Sequence, residues 1–192
     1  MPAPTPDAKR WTADEARRLN EENLHSSQRY EVVDGELLVS LGPRAAHQFV
    51  VAELMWQLGN YLRGSRIADV LSAPADLELE HDSTVAPDVF VVARVDGRRI
   101  RNWPDISSPL LAAEVLSPST ARNDRVVKRK YHLRNGVAVY WIIDIDARLV
   151  EQWQEGQDRP EIIADQLVWQ PAGMPEPLII SLEALFADVN EF

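Results

Sequence analysis

The chain has 192 residues, 45% hydrophobic and 26% charged, which suits one soluble globular domain with a substantial core. Its net charge of −10 argues against general affinity for phosphate backbones, which comes from Lys and Arg. It has no cysteines, which excludes disulfides and thiolate metal sites and fits a reducing, cytoplasmic setting, and no apolar run approaches the ~20 residues of a membrane span.

Residues 1–10 are predicted to form a flexible tail ahead of a single domain over 11–192. The tail is rich in Pro and has no apolar core, so it does not read as a secretory signal. Thr12 followed by Glu15 has capping-box spacing and predicts a helix to about Asn23, packed at an edge because its apolar residues are sparse. Tyr30 to Ser40 reads as a hairpin turning at Asp34-Gly35, the dipeptide that supplies positive φ. Glu36 follows that turn, and on spacing alone it is a surface strand carboxylate. Ala45 to Leu62 predicts a long helix with a wide apolar stripe that includes Phe49, Val50, Leu54, Leu58 and Leu62. His47, near its start, is read as a capping or packing residue.

A short strand is expected over Ile67–Leu71. Asp76 to Glu80 alternates strictly and reads as a strand with one wet face. Thr84 to Val92 reads as the next strand, broken near its start by Pro87-Asp88, since proline lacks a ladder donor. A basic loop with Arg94, Arg98, Arg99 and Arg101 follows. Residues 109–144 then form the central unit: a buried strand, a polar turn, a basic helix, a glycine break and a second buried strand. Leu149 to Gln154 is expected to pair back on that strand across Asp146-Ala147. Leu167–Trp169 and Leu178–Ile180 are closing strands, and Ser181 caps a last helical turn.

Glu114 is the first residue to explain, because a carboxylate amid a buried strand is costly unless paired, protonated or metal-bound. Leu110, Ala112 and Glu114 share a face of that strand, and the small Ala112 leaves room beside the carboxylate. Asp124 and Lys128 are four apart on the following helix and can pair, with His132 continuing their face. Asp88 opens another apolar run. If its strand neighbours that of Glu114, the two carboxylates can share one Mg²⁺ or Mn²⁺, the cations that oxygen donors suit. The residues alone leave a second reading open, a structural Glu114–Lys128 ion pair with Asp88 as a turn residue. The basic cluster of Arg122, Arg125, Lys128, Arg129, Lys130 and Arg134 likewise reads either as a binding patch or as a solvated face balanced by acids. There is no zinc spacing, phosphate loop or dinucleotide fingerprint.

At Tyr30–Leu37, Ala46-His47, Ala86-Pro87-Asp88-Val89, Ala113–Thr120, Asp124–Lys128, Gly136-Val137 and Tyr140–Asp144 the sequence resembles the Uma2 family of restriction-endonuclease-like proteins. The resemblance runs from about Trp11 to Phe186. It implies an α/β (α+β) fold of the PD-(D/E)xK type: a central mixed sheet flanked by helices, with an N-terminal helix and hairpin. It implies Mg²⁺-dependent phosphodiester hydrolysis, with nucleic acid (DNA first) as substrate. Metal ligation falls to Asp88 and Glu114. Glu36 becomes the extra carboxylate, and His47 and Asp124 are supporting groups. The usual pattern places Lys two residues after the Glu, where this chain has Leu116, so the resemblance hands the ammonium's role to Lys128. A homodimer is expected, since two-fold pairing would align two sites on a protein with little basic surface. Two rivals keep the fold without the chemistry: a non-catalytic nucleic-acid-binding protein, and an interaction protein that dimerises through apolar strands.

Overall fold

The computed structural model describes residues 9–187 and 189. Apart from Lys9 and Arg10, the expected tail lies outside the described residues. The centre is a six-stranded mixed sheet in the order β3 (Ala68–Ser72), β4 (Val89–Ala93), β5 (Leu111–Val115), β6 (Val139–Asp144), β7 (Leu149–Trp153) and β8 (Glu161–Ile163). Only β5 and β6 run parallel. A parallel pair needs a crossover, and the basic helix between them supplies it. A hairpin of β1 (Arg29–Val33) and β2 (Glu36–Ser40) and a second hairpin of β9 (Gln166–Trp169) and β10 (Leu178–Ser181) stand outside the main sheet.

The sheet separates two apolar clusters, and strand parity assigns residues to them. On one side Val50, Leu54 and Leu58 of α2 (Ala45–Leu62) meet Leu111, Ala113 and Val115 of β5 and Trp141 and Ile143 of β6. The short α4 (Leu182–Leu185), capped by Ser181, closes the same side. On the other side Ala112, Tyr140 and Ile142 meet Val33 and Leu38 of the first hairpin and Tyr131 of α3 (Arg129–Arg134). Glu114 continues the Ala112 face and so points into this second layer.

Thr12 and Glu15 form the expected capping box of α1 (Ala13–Glu22). The hairpin turn has φ of 55° at Asp34 and 81° at Gly35, the positive values a type I′ turn needs. Two expectations are corrected and one strand is added. Asp76–Glu80 is not a strand; it makes a single bridge, Leu77 to Val85, because that stretch passes over the sheet without joining it. The stripe of α2 is narrower than its apolar residues suggest: every fourth residue from Val50 is buried, while Phe49 and Trp56 are exposed. Finally, β8 is a strand the sequence does not signal, being short and mostly exposed.

Candidate functional site

Pro87 ends the β4–β5 ladder at Val89 opposite Ala113. Asp88 therefore stands just outside the ladder, where its carboxylate is available to side chains and free N–H groups. Its Oδ2 accepts the backbone N–H of Val115 at 2.9 Å. The same oxygen accepts from Nε2 of His47, at 3.0 Å, on the first turn of α2. His47 thus joins Asp88 to the helix packed on the opposite face, and both recorded bonds leave Oδ1 to other partners.

Glu114 is buried, and so is the ammonium that faces it. Lys128 Nζ lies 2.8 Å from Glu31, 3.2 Å from Glu114 and 3.5 Å from Asp124. Asp124 and Lys128 belong to a π-helical stretch, Asn123–Lys128, that runs directly into α3. Its i→i+5 bonding is seen in the Arg129 N–H donating to the Asp124 carbonyl, and both Asp124 and Lys128 are buried. Glu31 is anchored from behind by the Ala86 N–H at 2.7 Å, one residue before the Pro-Asp step.

Four carboxylates thus stand near a single ammonium. Burial drives the Glu114 pKa well above the ordinary carboxylate range, and Asp124, Asp88 and Glu31 push it the same way against the pull of Lys128. Asp124 is also raised, chiefly by burial. For Lys128, burial alone would lower the pKa, but Glu114, Glu31 and Asp124 outweigh it and hold the ammonium protonated well above its usual range. This excess of negative charge is what a divalent cation neutralises. The donors are oxygens, which suits Mg²⁺ or Mn²⁺, and Asp124 Oδ1 is buried without a hydrogen bond. Asp88 and Glu114 fit such an ion in donor chemistry. As the side chains stand, the described residues hold no ready cage of three metal-ligating groups. A cavity of about 260 Å³ opens over the cluster, lined by Glu31, His47, Asp88, Glu114, Ser117 and Lys128 among others.

The structure brings together Asp88, Glu114, Lys128, His47 and Asp124, and it does not bring Glu36. Glu36 pairs with Val33 at the turn end of the hairpin and is exposed. Glu31 takes its place at the cluster. Glu31 pairs with Leu38, so it shares a face with Val33 and Glu36 but lies one inward step further from the turn. The signal was in the sequence: Glu31 falls on the same alternation as the buried Val33. His132 does not serve the cluster directly. It is buried and stacked on Tyr140 at 5.2 Å, and burial, aided by Lys128, lowers its pKa to about 3.

The basic helix is not a free patch. Arg125 is bound to Asp144 at 2.8 Å and Glu151 at 2.6 Å, Arg134 bridges Asp34 and Glu80, and the Arg129 guanidinium lies 3.8 Å over the Trp153 ring. The bland reading of that cluster holds for these side chains.

The family model Uma2, described as "Putative restriction endonuclease", matches residues 13–186. A solved structure, described as "a putative nuclease belonging to DUF820 from Anabaena variabilis", superposes with a TM-score of 0.72 at 23% identity, over 93% of this chain and 98% of that one. At that identity the likeness speaks for the fold, and it agrees with the nuclease-like core expected from the sequence. No curated protein matches. Among the described residues no helix is long and apolar enough to cross a membrane.

Proposed function

Because this chain belongs to the Uma2 family, we propose that it is a metal-dependent endonuclease hydrolysing phosphodiester bonds of nucleic acid, with DNA as the first substrate to test. The observation that carries this reading is the cavity over the buried carboxylates. A structural ion pair needs no opening to solvent, yet Asp88, Glu114 and Lys128 all line one. Mg²⁺ or Mn²⁺ held by Asp88 and Glu114 would supply Lewis acidity toward the phosphate and the attacking water. His47 and the Val115 N–H keep the Asp88 carboxylate oriented through Oδ2. Glu31 and Asp124 hold the Lys128 ammonium in place, and its fixed charge would offset the negative charge that the phosphoryl oxygens gain. In the overall reaction a water oxygen bonds to phosphorus, the bond to the sugar oxygen breaks, and one proton passes from water to that leaving oxygen.

A second reading, a nuclease-fold protein that binds nucleic acid or protein without cleaving, is favoured by one observation. The Lys128 ammonium already stands at the centre of the carboxylates. A homodimer belongs to the first reading, and the exposed Phe49 and Trp56 on α2 offer it an apolar surface. Plasmid nicking in Mg²⁺, in Mn²⁺ and in chelator, with Glu114→Gln alongside, tests the choice. Cleavage that needs the metal and is lost in Glu114→Gln supports the nuclease. No cleavage, with Mn²⁺ affinity equal in both proteins, supports the second reading.

A further inference from the structure

The edge strand β3 carries the other feature that needs a function. It lies at one end of the strand order, and a cavity of about 700 Å³ sits against it, walled by Leu71 and Val92 and by Arg99, Arg101 and Trp103 of the following loop. Trp103 also lines an adjoining cavity of about 360 Å³, together with Arg29 and Pro74. Arg29 and Pro74 line the carboxylate cavity in turn. The three spaces share these wall residues and so follow one another between Asp88 and Arg101.

The chemistry of that run suits a polyanion with flat rings. The molecule carries a charge of −10, so most of its surface repels phosphate. Around β3 the balance reverses: Arg63, Arg94 and Arg99 line one space at its far end, and Arg99 and Arg101 line the large cavity beside it. Of the acids there, Asp69 is paired with Arg94 and Arg99 at 2.6 and 3.1 Å and Asp105 accepts the Asn102 N–H, so Arg99 shares its charge with Asp69 while remaining exposed, as Arg101 is. Midway, Arg29 is bound to Asp76 at 3.3 Å and to the Ala75 carbonyl at 2.8 Å, and its Nε is buried without a hydrogen-bond partner. The Trp103 ring packs 6.3 Å from Phe90 and remains 40% exposed within the run. From Asp88 to Ala93 the strand advances about 17 Å, which is the axial rise of about five nucleotides. A mononucleotide could not reach both ends.

We propose that a single strand of nucleic acid leaves the carboxylate cavity along the open edge of β3, with a base stacked on Trp103 and its phosphates held by Arg99 and Arg101. The proposal takes its substrate class from the nuclease reading. A single strand is favoured over a duplex because Trp103 needs a free base face, which duplex stacking hides. An exposed aromatic between arginines is the combination that single-strand sites use.

The test is fluorescence anisotropy of the full chain with a labelled twelve-nucleotide oligothymidylate in chelator, where no metal-dependent cleavage intervenes. Trp103→Ala should weaken binding about tenfold or more, and Trp103→Phe, which keeps a ring, should recover most of it. Arg101→Ala should lower the slope of log affinity against log salt by about 0.7. A hairpin duplex of equal charge should bind less tightly than the single strand. Affinities of Trp103→Ala and Arg101→Ala within twofold of wild type would overturn the groove, as would no single-strand binding by wild type or a duplex preference indifferent to Trp103. The two readings fail separately. Groove variants that bind normally while Glu114→Gln loses cleavage would sink the groove alone. Groove-dependent binding with no metal-dependent cleavage by wild type would sink the nuclease alone.

Discussion

Removing the buried ammonium should cost much more than removing the charge of Glu114. In Lys128→Met, Glu31, Glu114 and Asp124 lose their common cation at 2.8, 3.2 and 3.5 Å. Breaking a buried ion pair from one side costs about 3–5 kcal/mol, a large part of the ~5–15 kcal/mol that holds a domain folded. For a chain of this size that is a fall in Tm of roughly 6–20 °C. In Glu114→Gln, Lys128 keeps Glu31 and Asp124, and burial already works against a charge at this position. That loss should stay within about 1 kcal/mol. The pH dependence has a definite sign. Lys128→Met raises the folded pKa values of Glu114 and Asp124 further, because Lys128 holds both down. A raised folded value gives stability that is present at low pH and lost as pH climbs above the ordinary carboxylate range. The deficit of Lys128→Met against wild type should therefore be larger at pH 8.5 than at pH 5.5, read by urea unfolding with tryptophan fluorescence. If the carboxylates bind metal, Mn²⁺ at a hundred times its Kd should return about 2.7 kcal/mol to the variant. Equal losses in the two variants, or a Lys128→Met deficit that neither pH nor Mn²⁺ changes, would refute this reasoning.

His132 provides an acid-side test. Its folded pKa of about 3 lies below the ordinary histidine value of about 6.5, so its contribution is present above that value and is lost as pH falls toward 3. The wild type should lose about 2 kcal/mol from this group by pH 5, and His132→Phe, which keeps a ring against Tyr140, should remove that slope in unfolding titrations. The half-exposed bridges of Arg134 to Asp34 and Glu80 should matter little, and Arg134→Met should cost no more than about 1 kcal/mol by urea denaturation. Light scattering should show a dimer, and the pair Phe49→Ser and Trp56→Ser should yield a monomer with unchanged Tm; a wild type that is monomeric at micromolar concentration would end that expectation.

Much of this arrangement was legible because it follows short-range rules. The Asp34-Gly35 hairpin, the Thr12 capping box and the bounds of α2 depend on residues a few positions apart, and they stand as read. The convergence of Glu114 with Lys128 followed from strand and helix periodicity in one local unit. Glu36 was misplaced for a different reason. Parity says which face a hairpin residue takes, but not how far along the strand the neighbouring element crosses it. That crossing is fixed by Ala86 and Pro87, whose chain bonds Glu31 and comes from far along the sequence. Asp76–Glu80 was misread because alternation reports one wet face, and a segment lying flat over a sheet has that too. The pairing of His47 with Asp88 spans 41 positions between a helix and a loop, so no local pattern could announce it.

The position of Lys128 bears on both readings of the site. Leu116 lies on the same face of the chain as Glu114, two residues on, but it packs with the Phe90 and Tyr140 cluster and brings no charge. The ammonium comes instead from the π-helical turn above, where Asp124, four residues before it, faces the same cluster. A π-helical turn forgoes regular α-helical bonding, and such turns are rare enough that a physical return is expected of them. Here the turn carries two buried charged residues, Asp124 and Lys128. A purely structural pair would be satisfied by one carboxylate for one ammonium; a third or fourth carboxylate only raises the cost of burial. The surplus gains a reason once a further cation enters from the cavity that Asp88 shares with Glu114.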